Sequence, residues 1–208
     1  MKKDTQSHGS VSLERRRTFM NESNNPSAIR SRKQITDALL KLMEKYSYEE
    51  ISVKQIVLET DLVRKTFYRN FSSKDDVLRS HIMSILLDYF EIVNNARGDV
   101  LTTIFEFAVK NKKLLMLLDK NDMLYVVLQG MNEFILSVKT KQNQELNPFS
   151  KLFEGLDSDY LISLNTGGIW NVISLWVRRG MTDDPEEVKR TIAQYLRRIG
   201  NQKAKLST

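Results

Sequence analysis

Apolar residues recur at helical spacing along most of the chain. Ile35, Leu39, Leu42 and Tyr46 fall at i, i+4, i+7 and i+11, which predicts one buried stripe on a first helix. That helix is expected to begin between residues 27 and 31, because Ser31 and Gln34 have the spacing of a capping box. Ser52 is placed to cap a short second helix that buries Val53, Ile56 and Val57. Asp61, Leu62 and Val63 then form a corner. A third helix is predicted over residues 64–71, with Phe67 and Phe71 at i, i+4 as its apolar anchors. Ser73 followed by Asp75 and Asp76 opens a long fourth helix. Its seam is Leu78, Ile82, Ile85, Tyr89 and Val93, and it fades over residues 94–98.

The helical pattern continues beyond that point. Two short helices are predicted over residues 100–109 and 114–118, then a longer one over 122–138. Residues 139–159, with Pro148, Gly155 and a polar run, read as a loop. Residues 160–179 form a strongly apolar helix that Gly180 ends. Asp184-Pro185-Glu186-Glu187 marks a helix start: a cap, a proline at the first helical position and an acidic first turn. Val188, Ile192, Leu196 and Ile199 stripe that last helix. No strand-like alternation of useful length occurs, so the prediction is an all-α chain of about nine helices.

Composition narrows the possibilities. The 208 residues contain no cysteine, which excludes disulfides, thiolate metal sites and cysteine nucleophiles. No run reaches the ~20 apolar residues of a membrane span, and no apolar segment follows the N-terminal cations, so a cytoplasmic protein is expected. Net charge is +6. Residues 1–78 carry 15 Lys+Arg against 11 Asp+Glu, and residues 79–208 carry 17 against 15. Positive charge is therefore denser toward the N-terminus, as a polyanion-binding head requires. Three regions are expected: a polar tail over 1–26, a DNA-binding head over 27–76, and a helical module over 77–208. The tail contains Arg15-Arg16-Arg17, which either touches DNA or is simply solvated. Arg30, Arg32 and Lys33 crowd the expected first turn of helix one, against the helix dipole; a partner phosphate or plain surface charge accounts for them equally.

The third predicted helix carries the distinctive chemistry. Opposite Phe67 and Phe71 it presents Arg64, Lys65, Thr66, Tyr68, Arg69 and Asn70, all polar and none acidic. A short helix pinned by two aromatics, with cations and hydrogen-bonding groups facing outward, suits the DNA major groove.

Three strings occur here in order: Ser52-Val53-Lys54-Gln55-Ile56, then Thr66-Phe67-Tyr68-Arg69-Asn70-Phe71, then Ser73-Lys74. Over residues 29–79 this resembles the TetR family of bacterial transcription regulators. The segment 167–188 is also similar to the TetR subgroup that includes the dihydroxyacetone-kinase operon regulator DhaS. The resemblance implies a helix-turn-helix protein that reads a palindromic double-stranded operator as a homodimer, most commonly as a repressor, under a small-molecule or protein effector. It implies base-edge and groove contacts from Lys54, Arg64, Lys65 and Thr66, with Asn70 beside them, and phosphate contacts from Tyr68 and Lys74. Ser52 is able to give a phosphate its hydroxyl and the adjoining helix start. Two positions depart from the family pattern. Asp61 replaces the turn glycine, which would place an aspartate in the left-handed conformation at a cost. Val63 replaces the serine cap of the groove helix.

The last two helices are the candidate dimer interface, through Gly167, Gly168, Trp176, Val188, Ile192 and Leu196. A ligand pocket among the middle helices would draw on Phe90, Phe105, Tyr125, Met131, Phe134, Asn165 and Trp170, although aromatic and methionine stripes of this kind more often build ordinary core. Asn165 lies in a mostly apolar helix and needs a partner: backbone, the other subunit or a ligand. No catalytic or cofactor motif appears. The two histidines, His8 and His81, lie far apart and no carboxylate cluster accompanies them, so neither catalysis nor a metal site is expected. The other function considered is a non-catalytic interaction protein whose C-terminal module docks a protein partner.

Overall fold

A computed structural model describes the backbone of residues 25–95, 100–140 and 157–206, with side chains over 25–89, 101–134, 157 and 159–198. The tail with Arg15-Arg16-Arg17, most of the 139–159 loop, and the side chains of Phe90, Val93 and Ile199 lie outside the described residues. Nine α-helices and a 3-10 turn make up the described elements, and no strand is among them. They are α1 Pro26–Met43, the 3-10 turn Tyr48–Glu50, α2 Val53–Leu58, α3 Arg64–Asn70 and α4 Lys74–Asn95, then α5 Val100–Lys110, α6 Lys112–Lys120, α7 Tyr125–Thr140, α8 Ser158–Arg178 and α9 Pro185–Leu206. None is long and apolar enough to cross a membrane, among the described residues.

Helix α1 starts earlier than its sequence pattern predicts. Asn25 caps it by accepting from the Ser27 amide at 2.9 Å, and Pro26 occupies the first turn. Ser31 is not a cap but a buried helical residue whose hydroxyl donates to the Ser27 carbonyl. The cations at 30–33 therefore sit in the second turn, away from the positive end of the dipole, and Lys33 pairs with Asp37 at i, i+4. The buried stripe is Ile35, Ala38, Leu39, Leu42 and Met43. Tyr46 falls beyond the helix end and is 47% exposed, so it leaves the stripe.

Helices α1, α2 and α3 pack on one another, and α1 also packs on α4. Helix α4 is buried on more than one face: Val77, Leu78, Ile82, Met83, Leu86, Leu87 and Tyr89 all lie in the core. The predicted seam of Leu78, Ile82, Ile85, Tyr89 and Val93 is narrower than this, and Ile85 is only half-buried. The helix packs against α1, α5 and α7. At Gly130 of α7 a Cβ would stand 2.9 Å from Leu86 Cδ1, so the glycine permits α7 to lie close against α4. Arg79 of α4 and Glu133 of α7 pair at 2.8 Å beside this contact.

A second junction joins the head to the rest. Lys120 Nζ donates to the Glu44 carbonyl at 2.6 Å and Asn121 Nδ2 to the Met43 carbonyl at 3.2 Å. These residues end α6 and satisfy the last carbonyls of α1. Asp122 does not begin the following helix, as predicted. It adopts φ 56° and closes the α6 corner, with Met123 N donating to Leu118 O at 2.8 Å. Helix α8 ends at Gly180, φ 74°, as its sequence predicts. Asp184 caps α9 through the Glu186 amide.

Candidate nucleic-acid interface

Helix α3 is short, so tertiary packing rather than propensity must hold it. Phe67 has no exposed surface and Phe71 only 3%. Burying a side chain of that size is worth ~1.5–3 kcal/mol, enough to fix the orientation of a two-turn helix. With those anchors inward, Arg64, Lys65, Tyr68 and Arg69 are exposed and Thr66 and Asn70 half-buried. Lys54 projects from α2, also exposed.

Neighbouring contacts sort these residues. Arg64 Nη2 donates to Tyr68 Oη at 3.2 Å and lies over the Tyr68 ring, so one turn up the helix the two form a connected polar pair. Lys54, Lys65 and Arg69 have no hydrogen-bonded or ionic partner among the described residues. Asn70 is committed: its amide donates to the Thr66 carbonyl at 2.7 Å, while its own carbonyl accepts from Arg32 at 2.9 Å. Ser52 is committed too, in a capping box in which its hydroxyl accepts from the Gln55 amide and its backbone amide donates to Gln55 Oε1 at 2.8 Å.

Lys74 is the largest departure from expectation. Its ammonium donates to three backbone carbonyls, Tyr48 at 2.7 Å, Ile51 at 2.8 Å and Glu49 at 3.0 Å, and lies 4.7 Å from the Tyr48 ring centroid. An ammonium has three donors, and all three are used. The structure thus gives Lys74 an internal task where a phosphate contact was expected: it ties the turn before α2 to the first turn of α4. Tyr48 completes the tie by donating its hydroxyl to Asp75 at 2.7 Å. Burial, reinforced by that bond to Asp75, pushes the Tyr48 hydroxyl far above its ordinary pKa.

The corner before α3 avoids the strain predicted for Asp61. Asp61 is not among the described residues with positive φ. Thr60 does the turning instead: its hydroxyl donates to Val57 O at 2.8 Å and accepts from Leu62 N at 3.2 Å. The chain therefore needs no glycine there. Val63, by contrast, has the predicted defect, an N-cap position with no side-chain hydrogen bond.

The sequence offers Arg32 only a phosphate or a plain surface role, and it assigns Tyr48 none. Arg32 reaches from α1 to the C-terminal carbonyl of α3 and stacks 4.3 Å from the Phe71 ring, placing a cation at the negative end of the groove helix. Both contacts span more than 20 residues, and nothing in local periodicity signals them.

The electrostatics follow from this list. Helix α3 has no acid in its first turn and two cations there. Glu59, the acid just ahead of the corner, is taken up by Lys41, whose ammonium holds the Glu59 carboxyl below its ordinary value. The start of α3 is left with two exposed cations, Arg64 and Lys65, against one exposed acid, Asp61 in the corner.

In the C-terminal module the candidate residues divide. Phe105, Met131, Phe134 and Trp170 are buried, and Phe105 packs against Trp176 at 5.3 Å. Tyr125 is 59% exposed and does not line that core. Asn165 finds its partner in its own helix, donating to Leu161 O at 2.7 Å. Trp176 is withdrawn from any interface: it is 3% exposed, and its indole donates to the Asp183 carbonyl within the α8–α9 corner. Val188 and Ile192 are half-buried against the chain's own core, whereas Leu196 is exposed. A Cβ at Gly167 or Gly168 meets nothing within 4 Å, so packing inside the described protomer does not require them. Tyr160, Leu164 and Leu175 of α8 are exposed, as are Tyr195 and Leu196 of α9.

Residues 35–80 match the family described as bacterial regulatory proteins, tetR family. They form a TetR-type helix-turn-helix domain. Among solved structures the chain is similar to the fatty acid degradation regulator FadR from Bacillus halodurans, with a TM-score of 0.53 at 20% identity, over 84% of this chain and 96% of that one. That likeness is one of fold. A search of curated proteins gives no match.

Proposed function

We propose that the chain is a DNA-binding transcription regulator of the TetR type that reads a palindromic operator as a homodimer and represses from it. The observation that carries this reading is α3: two buried phenylalanines present an exposed, acid-free face of Arg64, Lys65, Tyr68 and Arg69, with Lys54 from the neighbouring helix. Arg64 and Lys65 suit guanine acceptors or phosphates, and the Arg64-supported Tyr68 hydroxyl suits a phosphate oxygen. Thr66, half-buried, sits at the margin of that face. Ser52, Asn70 and Lys74 act behind it, as cap, helix clamp and turn tie.

Dimerisation through α8 and α9 is supported by the exposed apolar residues Leu164, Leu175, Tyr195 and Leu196 on helices that leave Gly167 and Gly168 open. An effector in the module beyond α4 has a route to the head. It would bias α4, which is packed against α1 and α7 at once, and the Lys120–Asn121 grip on α1. The finer likeness to the DhaS-type subgroup rests on residues 167–188 alone and names no effector.

The test is duplex binding by the full chain across a salt series. Log K falls linearly with log salt, and Arg64→Ala with Lys65→Ala weakens binding at least tenfold and flattens the slope by about two. Binding that is indifferent to salt and to both substitutions sinks the proposal.

A further inference from the structure

We infer that Val63 is a base-reading residue and that the group it reads is the 5-methyl of a thymine in the major groove. The inference rests on the DNA-binding function proposed above and adds a specificity-determining residue to it.

Val63 occupies the N-cap position of α3, extended at φ −90° and ψ 152°, and makes no capping bond. Ser, Thr, Asp and Asn are the residues that stabilise a helix from there. Nor does valine compensate by burial, because 67% of it is exposed. The residue thus contributes neither a cap nor core packing, and the corner is already turned by Thr60. Its position is the informative part. The N-terminal residues of a helix-turn-helix recognition helix are those that meet base edges, and Val63 immediately precedes Arg64 and Lys65 on that end.

Among the described residues around it, Asp61, Arg64, Lys65 and Tyr68 are exposed and polar or amphipathic. Val63 therefore presents two methyl groups where its neighbours present charges and hydroxyls. Of the groups that base pairs display in the major groove, one is apolar: the thymine methyl. A serine at this position would cap the helix and meet a phosphate or a polar edge. A valine gives up the cap and matches the methyl.

Full-length protein is used first to select bound duplexes from random DNA. Within the selected site each thymine is then replaced by uracil, which deletes the methyl and leaves the Watson–Crick edge intact. Wild type, Val63→Ala and Val63→Ser are compared. At one thymine per half-site, uracil weakens wild-type binding about fourfold, the value of one buried methyl-sized group. The same replacement leaves both variants unchanged. Their salt slopes equal the wild-type slope, because no phosphate contact is lost. Equal uracil effects in wild type and variants at every thymine, or a selected site without thymine, overturns the inference while DNA binding stands. Failure to enrich any duplex overturns both.

Discussion

Replacing Lys74 by methionine separates two accounts of this lysine. The family resemblance assigns it to a phosphate, but the structure surrounds its ammonium with the carbonyls of Tyr48, Glu49 and Ile51. Methionine keeps most of the stem and removes the donors. The Glu49 carbonyl is exposed and rehydrates; the Tyr48 and Ile51 bonds are part-buried. Losing a partner to a part-buried carbonyl costs ~1–1.5 kcal/mol each, and the ring contact adds ~0.5 kcal/mol. Lys74→Met should therefore lower unfolding free energy by about 2.5–3.5 kcal/mol, read as a lower urea midpoint with an unchanged m-value. DNA affinity also falls, because α2 is no longer tied to α4. The slope of log K against log salt does not change, because no phosphate contact is lost. A phosphate contact predicts the reverse: a stability change under ~1 kcal/mol and a slope smaller by about one. That second pattern would refute the internal role.

Three further outcomes follow from named contacts. Val63→Ser supplies the missing cap of α3 and should raise stability by ~1 kcal/mol in urea unfolding; a loss would mean that α3 does not begin at Arg64. Burial holds the His81 imidazole below its ordinary pKa, against a smaller opposing pull from Asp37. The unfolded chain then takes up a proton that the folded chain resists, so stability is intact above pH ~6.5 and is lost as pH falls through the folded value. Thermal melts at pH 7.5 and 5.5 should diverge less in His81→Leu than in wild type. Leu164 is 69% exposed, so Leu164→Glu should leave the protomer folded and shift sedimentation from dimer to monomer; an unchanged dimer would remove α8 from the interface.

The elements of this fold were readable wherever a single local rule decided them. Phe67 and Phe71 at i, i+4, Ser73 before two acids, and Asp184-Pro185 all act within one helical turn, and the structure places them as expected. What was not readable depends on chain segments far apart. Ser31 has a cap's spacing, but Asn25 and Pro26 start the helix earlier. Asp61 stands where a turn glycine is usual, yet Thr60 forms the turn with its side chain. Lys74 has the sequence context of a phosphate ligand, and only the approach of the 48–51 turn shows its donors to be engaged. Trp176 lies on an apolar helix that suits an interface, but a bond to Asp183 and contact with Phe105 turn it inward. Periodicity identifies which face is apolar; it does not say whether that face meets its own chain or a second copy.

The central claim is that α3 reads DNA as one of a symmetric pair. Selection of bound duplexes from random sequence by the full chain tests it most directly. An enriched inverted repeat is expected, with half-sites about one helical turn apart, ~34 Å, or somewhat more, and Arg64→Ala with Lys65→Ala together should abolish the enrichment. Absence of any enriched motif, or a motif that survives those two substitutions unchanged, would contradict it.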